Sequence, residues 1–78
     1  MLTRTKDGWK LNCLGMLCPV PIVKLSVAMS RVRPGEQVVL VADDLGIEGD
    51  LNVWCRANQR TVLEQSIEDG VLTAVIQG

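Results

Sequence analysis

Alternating and helix-spaced apolar residues divide the chain into six predicted elements. The short alternating segment "WKLNC" (residues 9–13) predicts a first strand, and the β-branched run "EQVVLVA" (residues 36–42) predicts a second. Two further strands, "RTVLEQSI" and "VLTAVIQ", flank "EDG" (residues 68–70), whose glycine suits a hairpin turn. Between the strands, apolar residues recur at helical spacing in residues 22–32 and 46–59. The predicted order is therefore β-α-β-α-β-β.

This order is typical of an α+β fold. A mixed sheet of four strands with two helices on one face is the arrangement that buries all of the predicted apolar surfaces. With 78 residues, of which 47% are hydrophobic, the chain has room for one core, and residues 1–78 are expected to form a single domain. Residues 1–8 precede the first predicted strand and are candidates for a flexible segment.

The first helix carries two separate apolar lines. Its predicted core face consists of residues three or four positions apart: Ile22, Leu25, Ala28, Met29 and Val32. A second line is formed by Val20, Val23 and Val27, with Lys24 and Arg31 beside it. Two interpretations of these valines stay open. They are either a surface that binds a partner protein, or residues that pack beneath the N-terminal segment.

Composition and charge argue against several classes of function. Residues 1–33 carry six basic side chains against one acidic, and the remainder carries two against eight, but in a small fold the two halves interleave. Trp9 and Trp54 are the only aromatic residues, too few for a base-stacking platform. No apolar run approaches the roughly 20 residues that span a bilayer, and the first residues do not resemble a secretory signal. We therefore expect a cytoplasmic protein that binds neither membrane nor nucleic acid.

Three cysteines at irregular spacing are not typical of a disulfide framework, so reduced thiols are expected. Cys13 has three interpretations: a buried packing residue at a strand end, a resolving thiol, or a metal ligand. Packing is favoured, because the chain has no histidine and no second cysteine pair, and we predict no metal site. Cys55, beside Trp54 in the second helix, also favours packing.

Cys18 stands in the segment "GMLCPVP", where two prolines surround the predicted start of the first helix. Pro19 suits the first helical position, since proline costs little where the backbone N–H has no helical partner. The residue before a proline avoids helical backbone angles, which predicts Cys18 as the N-cap. Pro21 then lies at the third position and leaves the Val20 N–H for the sulfur. A helix N-terminus favours the thiolate, so we expect a lowered pKa for Cys18.

Because the chain has no histidine, a Cys-His catalytic pair within it is excluded. A thiolate without its own base suits exchange between two sulfur atoms, which needs only a thiolate, a leaving thiol and access. We assign no chemistry to the acidic pair that follows the second predicted strand. Asp43 and Asp44 are expected to cap the turn or helix that follows, and Glu48 and Asp50 are expected to be solvated.

The segments "LGMLCPVP", "IVKL", "VRPGEQVVLVADD" and "WCR" together resemble the TusA (SirA-like) sulfur-carrier family over nearly the whole chain. This resemblance implies a two-layer α/β sandwich that carries sulfur as a persulfide on Cys18. Gly15, Pro19 and Pro21 would then support the reactive cysteine. The implied activity is that of a sulfurtransferase that needs no cofactor other than the sulfur it carries.

The resemblance also implies two kinds of protein partner. One is a sulfur donor, such as a cysteine desulfurase or a rhodanese-like protein, and the other is a downstream sulfur acceptor. The predicted partner-binding residues are those of the second apolar line and its cations: Val20, Val23, Lys24, Val27 and Arg31. The alternative function is a non-catalytic interaction or redox-regulatory module in which Cys18 is structural.

Overall fold

The computed structural model describes residues 2–6 and 8–78, which form five strands and two helices. In chain order the elements are β1 (Leu2–Thr5), β2 (Gly8–Cys13), α1 (Val20–Met29), β3 (Gln37–Ala42), α2 (Ile47–Ala57), β4 (Thr61–Glu68) and β5 (Val71–Gln77). The predicted α+β fold, its two helices and its four strands are confirmed. The predicted strand count is wrong, because the sheet has a fifth strand. Within the described residues, no helix combines the length and hydrophobicity that crossing a membrane requires.

The unpredicted strand is β1, which is an outermost strand of the sheet and pairs antiparallel with β2. Its single apolar residue, Leu2, is half-buried, so the segment has no alternating pattern to detect. Contacts of Arg4 with residues elsewhere in the chain hold the strand instead. The Arg4 guanidinium lies 4.8 Å from the centre of the Trp9 ring, and Arg4 Nη2 lies 2.9 Å from Glu36 Oε2. Tertiary contacts, rather than local sequence pattern, therefore define β1.

The sheet order β1-β2-β3-β5-β4 combines antiparallel pairs with one parallel pair, β2 and β3, so the sheet is mixed. In that pair Cys13 lies opposite Ala42, and the two strands end together. The segments that follow them, residues 14–19 and 43–46, consequently leave the sheet at the same edge. This register brings together two parts of the chain that are more than 20 residues apart in sequence.

The core is built from alternate strand residues and from one side of each helix. On α1, the buried residues Leu25, Ala28 and Met29 belong to the predicted core face, and Ile22 and Val32 pack partly buried against them. The other buried apolar residues of this core come from α2 and three strands: Leu11, Cys13, Val38, Leu40, Ala42, Ile47, Leu51, Cys55, Leu72, Ala74 and Ile76. Burial at every second position of β3 and β5 directs one face of these strands to the core.

Candidate functional site

The segment that follows β2 forms a tight loop before α1. The Met16 N–H donates to the Cys13 carbonyl at 3.2 Å, and the Val20 N–H donates to the Leu17 carbonyl at 2.9 Å. Gly15 has a φ of 80°, a left-handed conformation that glycine adopts without a steric penalty. The loop is therefore folded back on itself, with Cys18 exposed near its end.

Two aspartates at the end of β3 hold this loop from the side. The Gly15 N–H lies 3.0 Å from each carboxylate oxygen of Asp43. The Cys18 N–H donates to Asp44 Oδ2 at 2.7 Å, and the Gly46 N–H donates to Asp44 Oδ1 at 3.0 Å. The predicted capping of the following turn is thus confirmed for Asp44, but both aspartates also bind the cysteine loop. Backbone N–H groups held by carboxylates fix the position of Cys18 more firmly than neutral hydrogen bonds would.

The thiol of Cys18 contacts a third carboxylate. Its Sγ lies 2.7 Å from Oδ2 of Asp50, and the thiol donates this hydrogen bond. Asp50 lies in the first turn of α2, which begins at the same edge of the sheet. Asp50 is exposed, as expected of a solvated residue, but its contact with the sulfur was not predicted.

The structure contradicts the predicted N-cap role of Cys18. Helix α1 begins at Val20 with Pro19 as its N-cap residue, and Pro21 occupies the second helical position, where it is buried. The Val20 N–H is bound to the Leu17 carbonyl, so it is not available to the sulfur. The helix starts one residue later than predicted, because the hydrogen bond from the Val20 N–H to the Leu17 carbonyl forms a separate turn before the first helical residue.

The prediction of a lowered pKa for Cys18 is also wrong. The hydrogen bond to the Asp50 carboxylate raises the pKa of this thiol above that of an ordinary cysteine. Partial desolvation and the negative charges of Asp50 and Asp44 act in the same direction. At neutral pH the thiol form of Cys18 therefore predominates.

The two other cysteines lie in the core, as the packing interpretation expects. Cys13 is fully buried at the end of β2, and Cys55 is 3% exposed on α2. Desolvation raises the pKa of both thiols, and their burial keeps them out of reach of a sulfur atom on another molecule. All three thiols of the described residues are free. Cys18 is the one among them that solvent reaches.

The second apolar line of α1 is exposed rather than covered by the N-terminal segment. The exposed fractions are 41% for Val20, 57% for Val23 and 55% for Val27. Val23 and Val27, together with Lys24 and Arg31, line one side of a groove of about 360 Å³. Its remaining wall consists of four residues from the loop, the helix and the first two strands: Leu2, Leu11, Met16 and Ala28. The N-terminal strand thus contributes a wall to the groove and leaves the valines accessible.

A larger concavity, of about 490 Å³, lies on the sheet away from the thiol. Its walls are strand residues, including Lys10, Val39 and Val41, which alternate with the buried positions of β2 and β3. The groove beside α1 is the better candidate for a surface that serves Cys18, because its wall includes Met16 of the cysteine loop, whereas the larger concavity includes no residue of that loop. Across the described residues, no group of three or more Cys, Asp and Glu side chains is arranged to hold a metal ion.

Comparison with known proteins shows to which family the chain belongs. Residues 10–78 match the sequence profile of the family described as Sulfurtransferase TusA. The chain belongs to the TusA family. A Neisseria meningitidis protein named "Putative sulfur carrier protein" is 34% identical over 67 residues, which cover 86% of this chain and 90% of that protein. YrkI of Bacillus subtilis, with the same description, is 34% identical over 72 residues, 92% of this chain and 96% of its own.

An Archaeoglobus fulgidus protein of the same description is 32% identical over 69 residues, which cover 87% of this chain and 90% of that protein. Membership of the TusA family agrees with the resemblance that the Cys-Pro-x-Pro segment indicates. It supports a role in sulfur transfer in general, and with it an interaction with proteins that donate and accept sulfur.

The tether between Asp44 and the cysteine loop should depend on pH. Hydrogen bonds from the N–H groups of Cys18 and Gly46 lower the pKa of Asp44. A carboxylate whose pKa is lower in the folded state adds stability above its unfolded pKa, about 4, and loses it as the pH falls below that value. We expect thermal melts of the wild type to decline below about pH 4, and those of Asp44→Asn to decline less.

The comparison with Asp44→Asn is needed because the pKa of Glu36 is lowered too, chiefly by its hydrogen bond from the Arg33 N–H. Glu36→Gln is the matched variant that removes this second contribution. If wild type and Asp44→Asn lose stability in parallel between pH 5 and pH 2, the loop tether contributes nothing to the acid transition.

Proposed function

We propose that this TusA-family chain accepts sulfur as a persulfide on Cys18 and relays it to an acceptor protein. The observation that carries the proposal is the placement of Cys18: an exposed thiol on a loop whose backbone is held by Asp43 and Asp44. A fixed, accessible sulfur suits a reaction in which a second protein must bring its own sulfur into line with it. The buried Cys13 and Cys55 do not meet this requirement.

The raised pKa of Cys18 fits a carrier better than a redox sensor. Redox-sensing cysteines combine exposure with a low pKa, which makes them react with small oxidants. Cys18 is exposed but predominantly protonated, which protects it from such oxidants between encounters. Once deprotonated, a thiolate of high pKa is intrinsically a strong nucleophile toward sulfur. This favours sulfur transfer over the alternative of a redox-regulatory module.

The proposal includes a docking surface. Val20, Val23 and Val27 give exposed apolar contact next to the cysteine loop, and Lys24 and Arg31 place positive charge beside them. Apolar contact supplies affinity, while cations steer and orient partners that carry acidic residues. The donor would be a cysteine desulfurase or a rhodanese-like protein, and the acceptor a further protein of the same pathway.

The remaining parts of the proposal concern the domain and its surroundings. The buried residues of both helices share one core with alternate residues of three strands, which supports a two-layer sandwich with both helices on one face of the sheet. We place the reaction in the cytoplasm, where the free thiols would stay reduced. The sulfur atom itself is the only group that the reaction requires.

Intact mass spectrometry tests the proposed function. The purified protein is incubated with a cysteine desulfurase and cysteine, and we expect a mass increase of one sulfur atom that a reducing agent reverses. Peptide mapping should place this atom on Cys18 and leave Cys13 and Cys55 unmodified. An unmodified chain, under conditions that load an authentic sulfur carrier, would favour the interaction module instead.

A further inference from the structure

The thiol of Cys18 must lose its proton before or during attack on another sulfur, and the chain has no histidine to take it. Three carboxylates lie at this edge of the sheet. Asp43 is bound to the Gly15 N–H, and Asp44 is bound to the N–H groups of Cys18 and Gly46. Among the described residues, Asp50 is the carboxylate whose hydrogen bond reaches the sulfur, at 2.7 Å. That distance is within the reach that general acid–base catalysis requires.

We propose that Asp50 is the proton acceptor for Cys18 when sulfur is loaded, and that it passes this proton to the leaving thiol of the donor. The proposal rests on the proposed function and adds a catalytic residue to it. Asp50 qualifies as catalytic because its carboxylate touches the reacting sulfur. The donor is defined by its chemistry alone, as a cysteine persulfide on a protein or a small thiol.

The step balances without an oxidant or a reductant. Cys18 Sγ attacks the outer sulfur of the donor persulfide, a new S–S bond forms, and the S–S bond within the donor breaks. The proton of Cys18 moves to Asp50 and then to the donor thiolate, which leaves as a thiol. The outer sulfur keeps its own hydrogen throughout. One persulfide and one thiol thus give one persulfide and one thiol.

The order of events follows from the relative basicity of the groups. A carboxylate is a much weaker base than a thiolate, so the proton stays on the sulfur while Cys18 is at rest. As the S–S bond forms, electron density leaves the Cys18 sulfur and its proton becomes acidic enough for a carboxylate to accept. The donor thiolate is again the stronger base, and it takes the proton from Asp50. The raised pKa of Cys18 is consistent with this resting state.

Glu48 provides a matched control for the position of Asp50. Both carboxylates lie in the first turn of α2, where negative charge interacts favourably with the helix dipole. Glu48→Gln and Asp50→Asn therefore remove the same charge from the same turn. Of these two side chains, only that of Asp50 is hydrogen-bonded to the sulfur, so only Asp50→Asn removes that bond.

The test measures two rates on each variant at pH 7: alkylation of Cys18 by iodoacetamide, and sulfur acceptance from glutathione persulfide followed by intact mass. For Asp50→Asn we expect faster alkylation, because loss of the carboxylate increases the thiolate fraction. We expect sulfur acceptance to fall about 100-fold, the usual effect of losing a positioned proton acceptor. Glu48→Gln should leave both rates within about two-fold of the wild type, since Glu48 is half-buried but is not bonded to the sulfur, and a charge that acts only through solvent has a small effect.

Opposite changes in the two rates distinguish proton transfer from its rivals. If both rates rise in Asp50→Asn, the carboxylate only lowers the thiolate fraction of Cys18. If neither rate changes, the contact between Asp50 and the sulfur has no effect on reactivity. Either result overturns the proposal. If both fall and the variant melts early, Asp50→Glu decides, because a restored carboxylate should restore acceptance and a failure to restore it overturns the role. A wild type that takes no sulfur from glutathione persulfide or from a desulfurase overturns the proposed function itself.

Discussion

Replacing Cys18 with serine is expected to abolish persulfide loading completely while leaving the domain folded. The thiol is exposed and makes no core contact, so its loss removes no buried apolar surface. A serine hydroxyl can also donate to Asp50 Oδ2 in place of the thiol. Intact mass after incubation with a desulfurase should show no added sulfur, and the thermal melt should stay within a few degrees of the wild type.

Cys55→Ser is the matched control for this substitution. It makes the same chemical change at a buried position, where an unpaired hydroxyl costs about 1–3 kcal/mol of the free energy of unfolding. We expect that variant to melt earlier and still to take up sulfur on Cys18. Should Cys18→Ser load at the wild-type rate, the carrier thiol would have to be Cys13 or Cys55, and the proposed function would need a core that opens.

Apolar periodicity predicted most of the fold because most of its elements bury one face. The alternation in β3 and β5 and the helical spacing of Ile47 and Leu51 all correspond to burial in the core. The final hairpin was also predictable, since Asp69 and Gly70 both adopt positive φ in its two-residue turn. β1 was not predictable in this way, because its pairing and its Arg4 contacts depend on residues that lie elsewhere in the chain.

The chemistry of the site was predictable only in part. The Cys-Pro-x-Pro segment predicted Cys18 as the candidate reactive residue, and the structure shows its thiol exposed, but the predicted capping geometry assumed that the helix starts at Pro19. The actual start, at Val20, leaves the thiol under the influence of a carboxylate rather than of the helix terminus. The sign of the pKa shift therefore depended on a contact 32 residues away in sequence, which local pattern does not reveal.

One sequence signal could have predicted that the aspartates lie close to the cysteine loop. Two parallel strands joined by a helix end at the same edge of a sheet, so Asp43 and Asp44, directly after β3, must lie near the loop that follows β2. That argument requires the parallel pairing of β2 and β3 as a starting point. Asp50 follows by a further step, because α2 begins at that edge and exposes its first turn there.

The second large effect is expected from charges placed in the groove beside α1. Val23→Asp combined with Val27→Asp should leave the domain folded, because both valines are more than half exposed and valine and aspartate have similar helix propensities. Loading by glutathione persulfide should persist, since Cys18 and its carboxylates are unchanged. Loading by a protein donor should fall about tenfold or more, as the loss of one or two apolar contacts at an interface centre produces.

Val53→Asp is the control for the groove variant, because Val53 is 65% exposed on α2 and lies outside the residues that line the groove. It adds a negative charge to an exposed helical valine without touching the proposed docking surface. We expect it to load normally from both donors. If the groove variant also loads normally from the desulfurase, donors dock elsewhere. If it unfolds, the valines support the fold despite their exposure. Selective loss with the protein donor alone would place partner recognition in the groove that Lys24 and Arg31 line, whose wall also includes Met16 of the cysteine loop.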